Sequence, residues 1–253
     1  MTLSSLDGLW WLLLMLGPLL LIQPRLHLEI QAVFLLLTRR PALSIGLFSL
    51  LFFPGVLLHE GSHFVAARLM GVSTGRISLI PQPIPGGKLR LGFVETASTD
   101  IVRDALIGFA PLITGGCAIA LIGILRLGLL PVGEAMLNQH WDMFGQLLVQ
   151  LPKQPDFWLW FYLAFTISST MLPSAADRRG WLPVILALAL LLGMALLFGA
   201  GPWMITHLAT PFNLALRAVA GVFAISLAPN VLAWLPVLAI HRILSRITGM
   251  EVT

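Results

Sequence analysis

From Ala42 to Leu58 no residue carries a charge. Such a run does not fit the surface of a water-soluble domain. As a helix rising ~1.5 Å per residue it crosses most of a ~30 Å hydrocarbon layer. The remainder of the 253-residue chain agrees: 58% of it is hydrophobic and 10% charged, against about 45–50% and about 25% in soluble domains. Disorder is excluded, because it requires the opposite composition. At ~20 residues per span plus loops there is room for five or six membrane helices. The fold class is therefore an all-α polytopic membrane protein, with the lipid bilayer as its solvent.

Apolar stretches mark the spans. Leu9 to Ile22 reads as a retained first membrane segment, since no Lys or Arg precedes it and no small-residue cleavage site follows. Leu26 to Leu37, ahead of Arg39 and Arg40, reads as an interfacial helix. A long helix is expected from Ala42 to about Met70, and further spans at Asp104–Leu125, Phe157–Leu172, Trp181–Leu197 and Asn213–Ile240. Gly71 to Ser98 is rich in Gly and Pro and holds two alternating pieces, Arg76–Ile80 and Lys88–Val94. That pattern predicts a small membrane-associated β-hairpin. Pro131 to Asp156 reads as a polar loop, with Trp141, Trp158 and Trp160 as interfacial anchors.

The net charge of +4 is spread over loops without a dense basic patch, which argues against nucleic acid as a partner. Basic loops report orientation instead. With Arg68–Arg103 on the cytoplasmic side of a cell membrane, strict alternation puts Arg178, Arg179, Arg242 and Arg246 there too. The Lys- and Arg-free segment 201–212 then falls outside. Cys117, the single cysteine, can form no internal disulfide.

Residues 59–63 read His-Glu-Gly-Ser-His. On a helix, His59 and His63 are one turn apart and project from one face. Two neutral imidazoles so placed can bind one metal ion, and Glu60 beside the first can take a proton from a metal-activated water. A match arising by chance in a chain of this composition is expected on the order of a few times in a thousand, so the pattern is specific for its length. Two His and a Glu at membrane depth are costly unless paired or metal-bound; pairing with other helices is the plainer alternative. Catalytic zinc needs a third protein ligand. Glu95, Asp100, Asp104, His140 and Asp177 are the candidates. Asp100 and Asp104 fit better as caps of the next helix. Asp177, just after Pro173, returns to the side of the bilayer that holds His59 and is preferred.

These residues resemble the site-2 protease family of intramembrane zinc metalloproteases. In that family one membrane helix carries His-Glu-x-x-His, and a later helix carries Asn-x-x-Pro followed by Asp-Gly, whose Asp is the third zinc ligand. Here His59, Glu60 and His63 match the first motif. In the second, Pro173 and Asp177 match in kind, Thr170 stands where the family has Asn, and Arg178 follows the Asp. Ile107-Gly108-Phe109-Ala110-Pro111 is similar to the small-residue and Pro element of the family's second core helix. The resemblance implies a three-helix metalloprotease core at 42–180, preceded by membrane or interfacial segments at 1–41 and followed by extra transmembrane helices at 181–253. It implies zinc held by His59, His63 and Asp177, Glu60 as general base, and a transmembrane protein as substrate. The departures in the second motif keep two alternatives open: a catalytically inactive relative that binds transmembrane partners, and a metal transporter. Asn230, next to Pro229, is expected to bond across helices rather than to touch substrate.

Overall fold

The computed structural model describes residues 7–84 and 88–250. Helix α1 covers Asp7–Thr38 and α2 Pro41–Leu69. Four short strands follow: β1 Thr74–Ser78, β2 Gln82–Ile84, β3 Lys88–Arg90 and β4 Phe93–Thr96. Then come α3 Ile101–Leu121, extended by a π-helical turn Ile122–Arg126, α4 Leu129–Leu137, α5 Trp141–Gln150, α6 Phe157–Thr170, α7 Trp181–Leu197 and α8 Gly201–Thr248. Four of the described helices are long and apolar enough to cross a membrane: α1, α2, α3 with its π turn, and α8. The 17-residue α7 and the 14-residue α6 are shorter.

The first two expected segments are one helix. Pro24 lies inside α1 without ending it, and the second half packs rather than lying at an interface: Leu26, Ile30, Ala32 and Leu36 are buried. His27 sits edge-on to Phe48 and Phe52 of α2, 5.6 and 4.7 Å between ring centres. The expected polar loop at 131–156 is mostly helical, as α4 and α5. Segment 201–212 is the start of α8, which also carries Pro211, Pro229 and Pro236 internally. Prolines survive within helices of this kind because neighbouring groups take up the carbonyls they free. The β segment holds two nested antiparallel pairs in place of one hairpin. β1 pairs with β4, with a bulge between Thr74 and Ile77, and β2 pairs with β3. The tip at 85–87 lies outside the described residues.

Contacts fix the helix directions. Asn213 Nδ2 donates to Asp7 Oδ1 at 2.8 Å, and His241 pairs with Glu29, so α1 and α8 run parallel. Ser44 Oγ donates to Gln31 O at 3.2 Å, so α2 returns antiparallel. Tyr162 Oη donates to Leu51 O at 2.9 Å, and Gly55 lies under Thr166, so α6 runs with α2. The 68–103 segment and Arg178–Arg179 therefore share one end of the bundle, as expected. Arg242 and Arg246 do not; they stand at the opposite end with Arg39 and Arg40. Strict alternation fails because α7 has no buried residue and touches α3 near its start, Trp181 against Phe109. Arginines then occupy both ends, and charge no longer orients the bundle.

Close packing and polar contacts join the long apolar helices. A Cβ on Gly55 would lie 2.3 Å from Thr166 O, so only glycine lets α2 and α6 approach this closely. Asn230, fully buried, supplies the polar contact. Its Nδ2 donates to Ser168 Oγ at 2.9 Å and to Ser226 O at 2.8 Å, while Ser169 Oγ donates to its Oδ1 at 2.8 Å. As expected, Asn230 joins helices, here α8 to α6.

Candidate metal centre

Helix α2 continues without a break through the His-Glu-Gly-Ser-His run, so both imidazoles project from one side. Ser62, between them in sequence, donates its hydroxyl to His59 O at 2.7 Å and adds nothing to the exposed polar surface. The third group arrives from the turn after α6. Pro173 cannot extend that helix, and the chain folds back so that Ser174 N–H donates to Asp177 Oδ2 at 2.7 Å and Asp177 N–H to Ser174 Oγ at 3.3 Å. This local ring of bonds aims the carboxylate at α2.

His63 Nε2 lies 3.2 Å from His59 Nε2 and 3.2 Å from Asp177 Oδ1, and His59 Nε2 lies 3.7 Å from Asp177 Oδ2. One donor atom from each residue falls within 4.8 Å of the others, and the group can hold a metal ion. His63 Nδ1 faces the carbonyl oxygen of Ile107 at 2.9 Å. A carbonyl only accepts, so Nδ1 carries a proton and Nε2 presents a lone pair in the neutral ring. That lone pair faces another imidazole nitrogen and a carboxylate oxygen. Three electron-rich atoms converging in this site can hold a cation between them.

The centre opens on a cavity of about 680 Å³, within the usual size range of ligand pockets. Glu60 is buried and lines it from the position after His59. Strand β4 and the residues before it also line it. Gly92 lies so close to Glu60 that a Cβ there would be 2.8 Å from Glu60 Cγ. Gly108 of α3 gives the Asp177 turn its room: a Cβ would stand 1.9 Å from Asp177 O. Gln23 reaches in from α1 and donates its side-chain amide to Ser169 O, at the end of α6 where Pro173 has no N–H to offer.

The other candidate ligands are elsewhere. Glu95 Oε2 accepts from Arg76 N–H at 3.2 Å, within the β1–β4 pair. Asp100 caps α3, accepting from Val102 and Arg103 N–H at 3.1 and 3.0 Å. Asp104 lies in the first turn of α3, as expected of the cap pair, and lines the cavity without joining the three converging groups. His140 precedes α5. Thr170 lines the cavity but donates its hydroxyl to Thr166 O at 3.0 Å, within its own helix. Sequence reasoning passed over Gln23, the Ile107 carbonyl and the space at Gly108. Only the small residue and the proline at 108 and 111 hinted at the last two.

No family model matches the chain, and comparison with curated proteins and with solved structures finds no match either. Two imidazoles, one carboxylate and an adjoining buried Glu are a set able to bind a metal ion and to move a proton beside it.

Proposed function

We propose that this chain is an intramembrane zinc metalloprotease of the site-2 protease kind, hydrolysing a peptide bond of a membrane-spanning protein. The observation that carries the reading is the meeting of His59, His63 and Asp177 within 4.8 Å, with Glu60 on the same cavity wall. Two His and one carboxylate suit iron as well as zinc. The Glu next to the first His favours zinc, because hydrolysis needs a base at that place and oxygen chemistry does not. When bound, the ion supplies an activated water and Lewis acidity toward the substrate carbonyl. Glu60 takes the proton of the attacking water and returns it to the leaving nitrogen. Asp177 and the Nε2 atoms of His59 and His63 would hold the ion, and the pairing of its charge with theirs would make the site tolerable at membrane depth.

A substrate helix hides its peptide groups in internal hydrogen bonds and must unwind to be cut. Strand β4 pairs with β1 on one edge, and Phe93, Val94 and Thr96 line the cavity. We assign the β1–β4 pair to holding the unwound segment by strand addition. The four long apolar helices and the apolar α7 support placing the whole chain in a bilayer.

The test is made in vesicles that hold the purified protein and a panel of single-span peptides. One zinc per chain is expected, with cleavage that stops on chelation and returns with zinc, and with Asp177→Ala losing the metal. Stoichiometric zinc without cleavage would favour the inactive relative. Metal flux across the vesicle wall without cleavage would favour the transporter.

A further inference from the structure

Pro111 sits inside α3. In an α-helix the N–H of residue 111 would bond the carbonyl of residue 107. Proline has no N–H, and its ring also pushes that carbonyl away from the helix axis. The carbonyl so released is Ile107 O, which takes the Nδ1–H of His63 at 2.9 Å. Both groups are buried: Ile107 is 6% exposed and His63 7%. An orphaned carbonyl and an imidazole N–H, each costly alone in an apolar interior, thus satisfy one another.

We infer that Pro111 is a positioning residue of the metal centre. By withholding an N–H, it leaves the Ile107 carbonyl free to fix the ring of His63, with Nε2 turned toward His59 and Asp177. The inference rests on the metal-binding reading of that group. A ligand imidazole is held in the right tautomer and direction by what its other nitrogen donates to. The usual solution is a carboxylate or a loop carbonyl. Here it is a carbonyl taken out of a helix by a proline four residues on. Gly108, one residue past Ile107, admits the Asp177 turn. The same turn of α3 therefore sets two of the three ligands without contributing one.

Pro111→Ala tests this, because its two effects have opposite signs. Alanine restores the N–H and is the better helix former, so a merely structural proline would leave metal affinity unchanged and the thermal midpoint unchanged or raised. The restored N–H competes with His63 for Ile107 O. Zinc affinity, measured by competition with a chelator, is expected to fall tenfold or more. A second variant carries lactic acid at 111 through nonsense suppression; its ester oxygen has no hydrogen, and it is expected to keep the wild-type affinity. Nitrogen NMR of metal-free, ¹⁵N-histidine-labelled protein reads the contact directly. The resonance absent from His63→Ala should report a protonated Nδ1 in the wild type and the lactic acid variant, and a mixture of tautomers in Pro111→Ala. Unchanged zinc affinity with an unchanged tautomer in Pro111→Ala overturns the inference, as does a wild-type His63 without a protonated Nδ1. A wild type that binds no zinc yet shows that tautomer refutes the metal reading alone.

Discussion

Glu60→Gln is expected to keep a full complement of metal and to lose cleavage by about 10²–10⁴-fold, the contribution of a positioned general base. The substitution separates two roles that lie side by side. Glu60 is not among the three residues whose donor atoms converge; those are His59, His63 and Asp177. Glutamine has the same shape as glutamate, so the contact with Gly92, where even a methyl group would come within 2.8 Å of the Glu60 side chain, is unchanged. The shape of the side chain and the three converging groups therefore stay as they are, while its negative charge and its capacity to accept a proton are removed. Metal analysis of the purified variant and initial rates on the single-span peptides decide the matter. Cleavage within tenfold of the wild type would remove Glu60 from the mechanism, whereas loss of metal would make it a ligand.

The parts of this site readable from sequence are those set by spacing along a single helix. His59 and His63 had to share a face, and Glu60 had to stand beside them, because helical geometry alone dictates it. Asp177 was within reach of a coarser argument, that α2 and α6 end on the same side. Arg242 and Arg246 escape the same reasoning because α7, with no residue buried, does not count as one more reversal of the chain through the bundle. The merging of two expected segments into α1 was hidden by Pro24, a residue that ends helices in water more often than in an apolar medium. Segment 131–156 read as a loop because its helices are only nine and ten residues long. What no sequence pattern supplied was contact between elements. The closeness of Gly92 to Glu60, the amide of Gln23 on Ser169 O, and the Ile107 carbonyl beneath His63 depend on how helices and strands lie against each other. Composition says nothing about that.

Gly108→Ala follows from such a contact and should disable the metal centre at a distance. The added Cβ would stand 1.9 Å from Asp177 O and 2.9 Å from its carbonyl carbon. Both atoms belong to backbone and cannot swing aside as a side chain would. Gly180, at the end of the same turn, is also confined, though less tightly, since a Cβ there would be 2.9 Å from Ala105 N. The turn is thus pressed against α3 at two points and has to move as a unit. Relief of the clash requires a displacement of roughly 1 Å or more, while metal–ligand distances tolerate about ±0.2 Å. Asp177 is then carried out of range, and metal affinity should fall at least as far as on loss of an orienting contact, about 10–100-fold. Helix propensity pulls the other way, as alanine is favoured over glycine by about 1 kcal/mol within a helix. Loss of metal with retained helical circular dichroism would therefore mark a local displacement and not unfolding. The decisive comparison is a double-mutant cycle. If Gly108→Ala acts only by moving the carboxylate, adding it to Asp177→Ala costs no further metal affinity. An additive loss would mean that Gly108 serves some other part of the centre, and an unchanged affinity in the single variant would mean that the turn yields without taking Asp177 with it.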